Sequence, residues 1–193
     1  MQQVDQRHLE SLQRHWKRHH AFPSMAKLAA VMGLASAGSV FQAVGRLVEA
    51  GFLERVEGRI APTRRFFSRP VLGQVRAGLP DHAFQASEPE LLSADEYLVR
   101  QPDRTSFAHV RGDSMRDIGL LDGDVVAVEH NTPPKPGDVV VAVVDGAPTV
   151  KRLVLESGQY VLEAANPAFE TIRPGASLEV LGVVVGSFRR MTT

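Results

Sequence analysis

The sequence predicts an α+β chain of two domains: an N-terminal winged helix-turn-helix, and a C-terminal, mostly antiparallel β domain. Three observations carry that reading. Apolar residues recur at helical spacing as far as Gly51 and alternate at strand spacing from Ser106 onward. Between the two patterns lies a stretch containing Pro70, Gly73, Gly78, Pro80 and Pro89, with little apolar periodicity. The charge divides in the same way. Residues 1–68 hold 10 Lys/Arg against 5 Asp/Glu, a net of +5, whereas residues 69–193 hold 12 against 17, a net of −5, so the neutral 193-residue total hides a basic half and an acidic half. The expected organisation is a helical domain over 1–68, a linker over 69–102 and a β domain over 103–193.

The first helix is read over Val4 to about His19, where Leu9, Leu12 and Trp16 fall on one face between polar residues. Phe22-Pro23-Ser24 stops the chain and restarts it, with Ser24 placed to cap a short second helix whose inner face is Met25, Leu28, Ala29 and Met32. Gly33 ends that helix. A small-residue turn over Leu34 to Gly38 leads to a third helix with Val40, Val44, Leu47 and Val48 inward and Gly51 at its C′ position. Two helices joined by a tight Gly/Ser turn give the helix-turn-helix pattern. Phe52 to Val56 and Ile60 to Phe67 then read as two strands around Glu57-Gly58-Arg59, forming the wing.

A basic domain of this kind suits double-stranded DNA, with the third helix in the major groove. Ser36, Ser39, Phe41, Gln42 and Arg46 are the candidates for base and phosphate contact from that helix, and Arg59, Arg64 and Arg65 from the wing. Gln42 is able to bond adenine bidentately. Phe41 fits either a thymine methyl or the domain core. His15 and His19 lie one helical turn apart, but with no third ligand in the pattern they read as solvated or phosphate-facing rather than metal-binding.

In the C-terminal region the strands are Phe107 to Val110, Asp124 to Val128, Val139 to Val144, Thr149 to Leu155, Tyr160 to Glu163 and Leu178 to Phe188. Asp122-Gly123, Asp145-Gly146 and Ser157-Gly158 supply turns. The apolar run Leu181 to Gly186 reads either as a dimer interface formed by edge pairing or as an internal core strand. No apolar run is long enough to span a membrane, and the N-terminus MQQVDQRHLE is too polar for a signal peptide, so a soluble, cytoplasmic protein is expected.

The chain has no cysteine, so any covalent chemistry needs another nucleophile. Ser114, in Arg111-Gly112-Asp113-Ser114-Met115 at a strand end, is one candidate, and a serine alone is a weak signal. Its partner is sought in Lys151, thirty-seven residues downstream within Thr149-Val150-Lys151-Arg152-Leu153. Strand alternation puts Lys151 on the side of Leu153; if Leu153 faces inward, so does the lysine. Burial disfavours its charged form and lowers its pKa.

At these residues the chain resembles the LexA family of self-cleaving repressors (peptidase family S24), related to the UmuD mutagenesis proteins and to phage repressors. The serine motif runs from Val110 to Gly119 and is followed by Asp122-Gly123-Asp124; the lysine motif is Thr149 to Leu153; the cleavage segment is Leu72 to Pro80. The resemblance implies a C-terminal domain of the LexA/signal-peptidase type in which Ser114 is the nucleophile, Lys151 its general base, and the amides of Asp113 and Ser114 the oxyanion donors. The substrate it implies is the chain's own Ala77-Gly78 bond. At the reference pKa of ~10.4 a lysine is neutral only about 0.04% of the time at pH 7, so Lys151 must be desolvated to work. The resemblance further implies operator DNA and a RecA filament on single-stranded DNA as partners, a homodimer, repression of damage-response (SOS) genes, and no cofactor or metal.

Two departures stand out. Family members that read the well-known bacterial damage operator carry Asn, Ala and a Glu-Glu pair where this chain has Gly38, Ser39, Phe41 and Gln42, so the operator sequence does not transfer. Arg76, before the scissile bond, is bulkier than the small residue usual there. The rival readings are a UmuD-like polymerase accessory protein, against which the first 68 residues argue, and a non-cleaving phage-type repressor, against which Ser114, Lys151 and Ala77-Gly78 argue together.

Overall fold

The computed structural model describes residues 3–71, 73 and 90–191; the Ala77-Gly78 bond and nearly all of the cleavage segment lie outside the described residues. The chain divides into two compact units, Met1–Ala94 and Asp95–Thr193.

The first unit contains α1 (Gln3–His19), α2 (Met25–Met32) and α3 (Ala37–Glu49), followed by β1 (Leu53–Val56) and β2 (Arg59–Pro62), paired antiparallel. Its core forms where the helical spacing places it: Leu9 and Leu12 of α1, Leu28 and Met32 of α2, and Val40, Ala43, Val44 and Leu47 of α3 close around Phe52, Leu53 and Phe66. Helices α2 and α3 meet at 86°. Ser36 caps α3 by accepting from the Ser39 N–H at 3.2 Å. Ser24 sits at the start of α2 without a side-chain capping bond, and Met25 is exposed rather than inward.

The second hairpin strand is shorter than its apolar pattern suggests. β2 stops at Pro62, and residues Arg64–Phe67 form a 3-10 turn. Proline offers no N–H to extend the ladder, and the Thr63 hydroxyl donates to the carbonyls of Gly51 at 2.6 Å and Phe52 at 3.1 Å, bending the chain. Phe66 is thereby buried, its carbonyl accepting from Gln13 Nε2 at 2.6 Å. Beyond Ser68 this unit also takes in a short antiparallel pair, β3 (Arg69–Pro70) with β4 (Leu91–Leu92). Two residues on each side are too few to leave a periodic signal in the sequence.

α4 (Ala94–Leu98) crosses the boundary between the units. The second unit is then one antiparallel sheet of β5 (Thr105–His109), β6 (Val125–Glu129), β7 (Val139–Val144), β8 (Ala147–Glu156), β9 (Gln159–Glu163) and β10 (Leu178–Phe188), in the order β5-β6-β10-β7-β8-β9. The β7–β8 hairpin turns on Asp145 and Gly146, with φ of 49° and 87°, the left-handed pair that a two-residue turn matched to sheet twist requires. Val140, Ala142 and Val144 enter one core cluster while Val139 and Val141 pack on the other, which explains an unbroken apolar run in place of polar alternation.

The last strand joins two half-sheets. Leu178 to Val183 pair with β7, Val183 to Phe188 pair with β6, and the register breaks at Leu181 and Val185. The internal position expected as one reading of the Leu181–Gly186 run is therefore the one it occupies, while Leu181, Val185 and Phe188 keep exposed side chains.

Candidate functional site

Ser114 lies just beyond β5, on a loop pinned from several directions. The Gly112 N–H donates to Asp122 Oδ1 at 2.7 Å, and Val110 exchanges backbone bonds with Gly123 and Asp124. Buried Asp124 accepts from the Leu121 N–H at 2.9 Å, and Arg189 Nη1 approaches its other oxygen at 3.5 Å, an ion-pair separation outside hydrogen-bond geometry. Met115 and Leu120 sink into the core on either side of a short 3-10 turn. Ser114, half-buried beside Met115, is held by packing that its neighbours supply.

Lys151 reaches the same place from β8. Strand alternation buries it with Leu153, at 7% and 1% exposure, as expected for an inward Leu153. Its Nζ lies 2.9 Å from Ser114 Oγ, 3.0 Å from Thr149 Oγ1 and 3.0 Å from the Val150 carbonyl. Among the described residues no carboxylate bonds to it, and burial pushes its pKa below the usual lysine value. A groove of about 300 Å³ opens over the pair, lined on one side by Ala108 to Arg111 and on the other by Pro148 to Lys151.

Sequence reasoning missed one residue of this site. Asn166 is 2% exposed, and its Nδ2 donates to the Asp113 carbonyl at 3.0 Å while its Oδ1 accepts from the Ala168 N–H at 3.0 Å. It stands 53 positions from Asp113, and nothing local to it marks that contact. Asp113, whose amide with that of Ser114 is expected to face the oxyanion, forms the turn that Asn166 holds.

In the first unit the nucleic-acid candidates spread over three elements, α3 with its cap, β2 and the 3-10 turn that follows it. Ser36, Ser39, Phe41 and Gln42 are all exposed along the start of α3. Phe41 is 62% exposed, so of its two readings the core one is excluded, and Arg55 of β1 stacks over its ring at 5.4 Å. Arg59, Arg64 and Arg65 are exposed, with Arg65 over the Phe52 ring at 5.1 Å. Arg46 differs from expectation: its Nε bonds Asp5 Oδ1 of α1 at 2.9 Å, so its charge ties α3 to α1 instead of pointing outward unpaired. The rings of His15 and His19 are 4.4 Å apart, and among the described residues no third ligand joins them. Burial first, then His19, Lys27 and Arg18, hold His15 below the usual histidine pKa. Among the described residues no single helix is long and apolar enough to cross a membrane.

Comparison with known proteins agrees with both units. Residues 70–185 match the Peptidase S24-like family. The LexA repressor 1 of Nocardia farcinica is 35% identical over 97% of this chain and 93% of its own length. The LexA repressor 2 of Pseudomonas putida is 36% identical and the LexA repressor of Opitutus terrae 33% identical, each over 87% of both chains. With an S24-like domain across more than half its length and relatives of this identity along nearly all of it, the chain belongs to the LexA family of repressors.

Proposed function

We propose that this chain represses damage-response genes by binding operator DNA as a homodimer through a winged helix-turn-helix, and that it ends repression by cutting its own Ala77-Gly78 bond with Ser114 and Lys151. The observation that carries the cutting half is the buried Lys151 Nζ at 2.9 Å from Ser114 Oγ. Of the three directions around Nζ, two are taken by the acceptors Thr149 Oγ1 and Val150 O. In neutral lysine those acceptors hold the two N–H bonds, so the lone pair is aimed at the Ser114 hydroxyl.

The chemistry follows from that orientation. Lys151 takes the Ser114 proton as Ser114 Oγ bonds the Ala77 carbonyl carbon, and the carbonyl oxygen becomes an oxyanion near the Asp113 and Ser114 amides. The C–N bond to Gly78 then breaks, with the proton passing from Lys151 to the departing amine. Water then bonds the acyl carbon as it loses a proton to Lys151, the bond from that carbon to Ser114 Oγ breaks, and the proton passes from Lys151 back to Ser114 Oγ. Because the bond cut belongs to the same chain, no bimolecular encounter is needed. A RecA filament on single-stranded DNA acts here by favouring the conformation in which the cleavage segment occupies the groove, without adding catalytic groups.

The reading half rests on the exposed face formed by Ser36, Ser39, Phe41 and Gln42, and on the arginines of the hairpin region. A short helix reads few base pairs, so two copies on a roughly palindromic site provide the specificity. β10 is paired on both sides and offers no edge to a second copy, so the dimer surface proposed is the sheet face carrying its exposed Leu181, Val185 and Phe188.

The test is incubation of the pure protein with and without RecA filaments, with fragment masses read over time. Fragments 1–77 and 78–193 are expected, faster with RecA and at higher pH, and absent from Ser114→Ala and Lys151→Ala. Cutting by Ser114→Ala, or a first-order rate constant that rises with protein concentration, overturns the mechanism.

A further inference from the structure

The Ser114 loop is bridged from outside at two points by one short segment. Asn166 Nδ2 donates to the Asp113 carbonyl at 3.0 Å, and the Ala165 carbonyl accepts from the Asp117 N–H at 2.9 Å. The two bonds fall on either side of Ser114. Asn166 is itself fixed: it is 2% exposed, its Oδ1 holds the Ala168 N–H, and its carbonyl accepts from the Phe169 N–H at 3.0 Å. Arg116, within the loop, donates its N–H to the same carbonyl at 3.2 Å; the Asn166 bond is the shorter of the two and the one that ties this carbonyl to another segment, so both together set where it points.

That carbonyl belongs to the peptide joining Asp113 to Ser114. A trans peptide is planar, with its C=O and N–H pointing in opposite directions, so fixing the Asp113 oxygen fixes the Ser114 N–H. Hydrogen-bond donors stabilise an oxyanion only when pre-aimed at the place where the charge develops. We propose that Asn166 is a positioning residue for self-cleavage, which aims the Ser114 N–H at the oxyanion by holding the far end of the same peptide plane. This rests on the reading of Ser114 as nucleophile.

Three features set this role apart from ordinary support of the fold. The bond goes to the one carbonyl whose peptide carries the Ser114 amide. Asn166 touches neither Lys151 nor Ser114 Oγ among its hydrogen bonds, so the proton-transfer partners stay in place without it. Its second bond, to Ala168, is made through its oxygen, so the two functions of the side chain are separable by substitution.

The experiment compares the first-order self-cleavage rate of the full chain across pH for the parent, Asn166→Ala and Asn166→Asp. Asp keeps an oxygen for the Ala168 N–H but loses the N–H donor to Asp113. Removing an oxyanion donor outright costs about 10²–10³-fold in rate, so loss of its alignment is expected to lower the plateau roughly 10- to 100-fold. In Asn166→Ala the pH midpoint should not move, because no charge is added beside Lys151; in Asn166→Asp the new carboxylate raises it, and the plateaus alone are compared. A merely structural role predicts a lower melting temperature and a rate that recovers on cooling. Positioning predicts a deficit at every temperature at which the variant is folded. If the Ala variant does not fold, the Asp variant gives the answer, with operator binding and melting as checks on each. A plateau within threefold of the parent, a shifted pH midpoint in Asn166→Ala, or recovery on cooling overturns the proposal. Ser114→Ala is run alongside: if it still cuts, the nucleophile assignment fails, whereas inert Ser114→Ala with parental Asn166 variants refutes the positioning role alone.

Discussion

Replacing Gly182 by alanine should destabilise the C-terminal unit, because this glycine sits where β10 passes from β7 to β6. A Cβ built there lies 2.6 Å from the Glu129 carbonyl oxygen, 2.8 Å from Val128 Cγ1 and 3.1 Å from the Glu129 carbonyl carbon. Ordinary contact begins at 3.4 Å, so backbone must yield by about 0.8 Å, and strand β6 is paired on both sides. Forcing a methyl group into packed structure costs ~1–3 kcal/mol. The smaller entropy of unfolded alanine returns about 0.4–1 kcal/mol, leaving a net loss of roughly 1–2 kcal/mol. For a unit of this size each kcal/mol moves the melting point by about 4–8 °C. Scanning calorimetry of the full chain should therefore show the C-terminal transition lowered by ~5–15 °C. Gly186→Ala is the matched control. Its Cβ meets only Leu98 Cδ2, at 3.0 Å, the end of a side chain able to rotate away. Equal melting of the two variants, or a rise in the first, refutes the reasoning.

Lys151→Met should abolish cutting and also raise the melting temperature at neutral pH. Burial depresses the lysine pKa in the folded chain, so at neutral pH the native state carries a cost that the unfolded state lacks, and each tenfold loss of proton affinity is about 1.4 kcal/mol. That cost disappears as pH rises through the folded pKa toward the ordinary lysine value, so the gap between the proteins should close in alkali; a constant gap contradicts it. Ser36→Ala removes the α3 cap and should cost the first unit about 1 kcal/mol, which chemical denaturation followed by Trp16 fluorescence would measure. Asp145 accepts from the N–H groups of Ser177, Ala176 and Gly175, which hold its carboxyl below the usual range. Its contribution is full above the unfolded value and lost as pH falls through the folded one, so the protection of those three amides, measured against their intrinsic exchange rates, should fall in acid, and show no such pH dependence in Asp145→Asn.

Most of the helical unit could be read because its core residues repeat within single elements. Leu28, Val40, Val44 and Leu47 each announce their burial through neighbours three or four positions away. The Ser114–Lys151 pair was readable for a related reason: alternation in β8 ties Lys151 to Leu153, and glycine, aspartate and serine mark the end of a strand. Contacts made across the chain left no such trace. Asp5 captures Arg46 from 41 positions away and Asn166 reaches Asp113 from 53, and each looks locally like a solvated polar residue. The 3-10 turn over Arg64–Phe67 was hidden by Phe66 and Phe67, whose apolar character fits a strand equally well. The β3–β4 pair was hidden by its brevity.

The place of β10 in the sheet also orders events in time. Ser114 follows β5, which pairs with β6, while Lys151 lies on β8, which pairs with β7, and β10 alone lies between β6 and β7. Among the described strands it is also the last in the sequence. The first unit, Ser114 and Lys151 all precede in the sequence the element that brings the two halves together. At roughly 5–20 residues per second, the thirty-seven residues from Lys151 to Phe188 need about 2–7 s of further synthesis. During that interval Ser114 and Lys151 lack the strand that joins their half-sheets, so on the proposed mechanism the nascent chain is not yet aligned to cut itself.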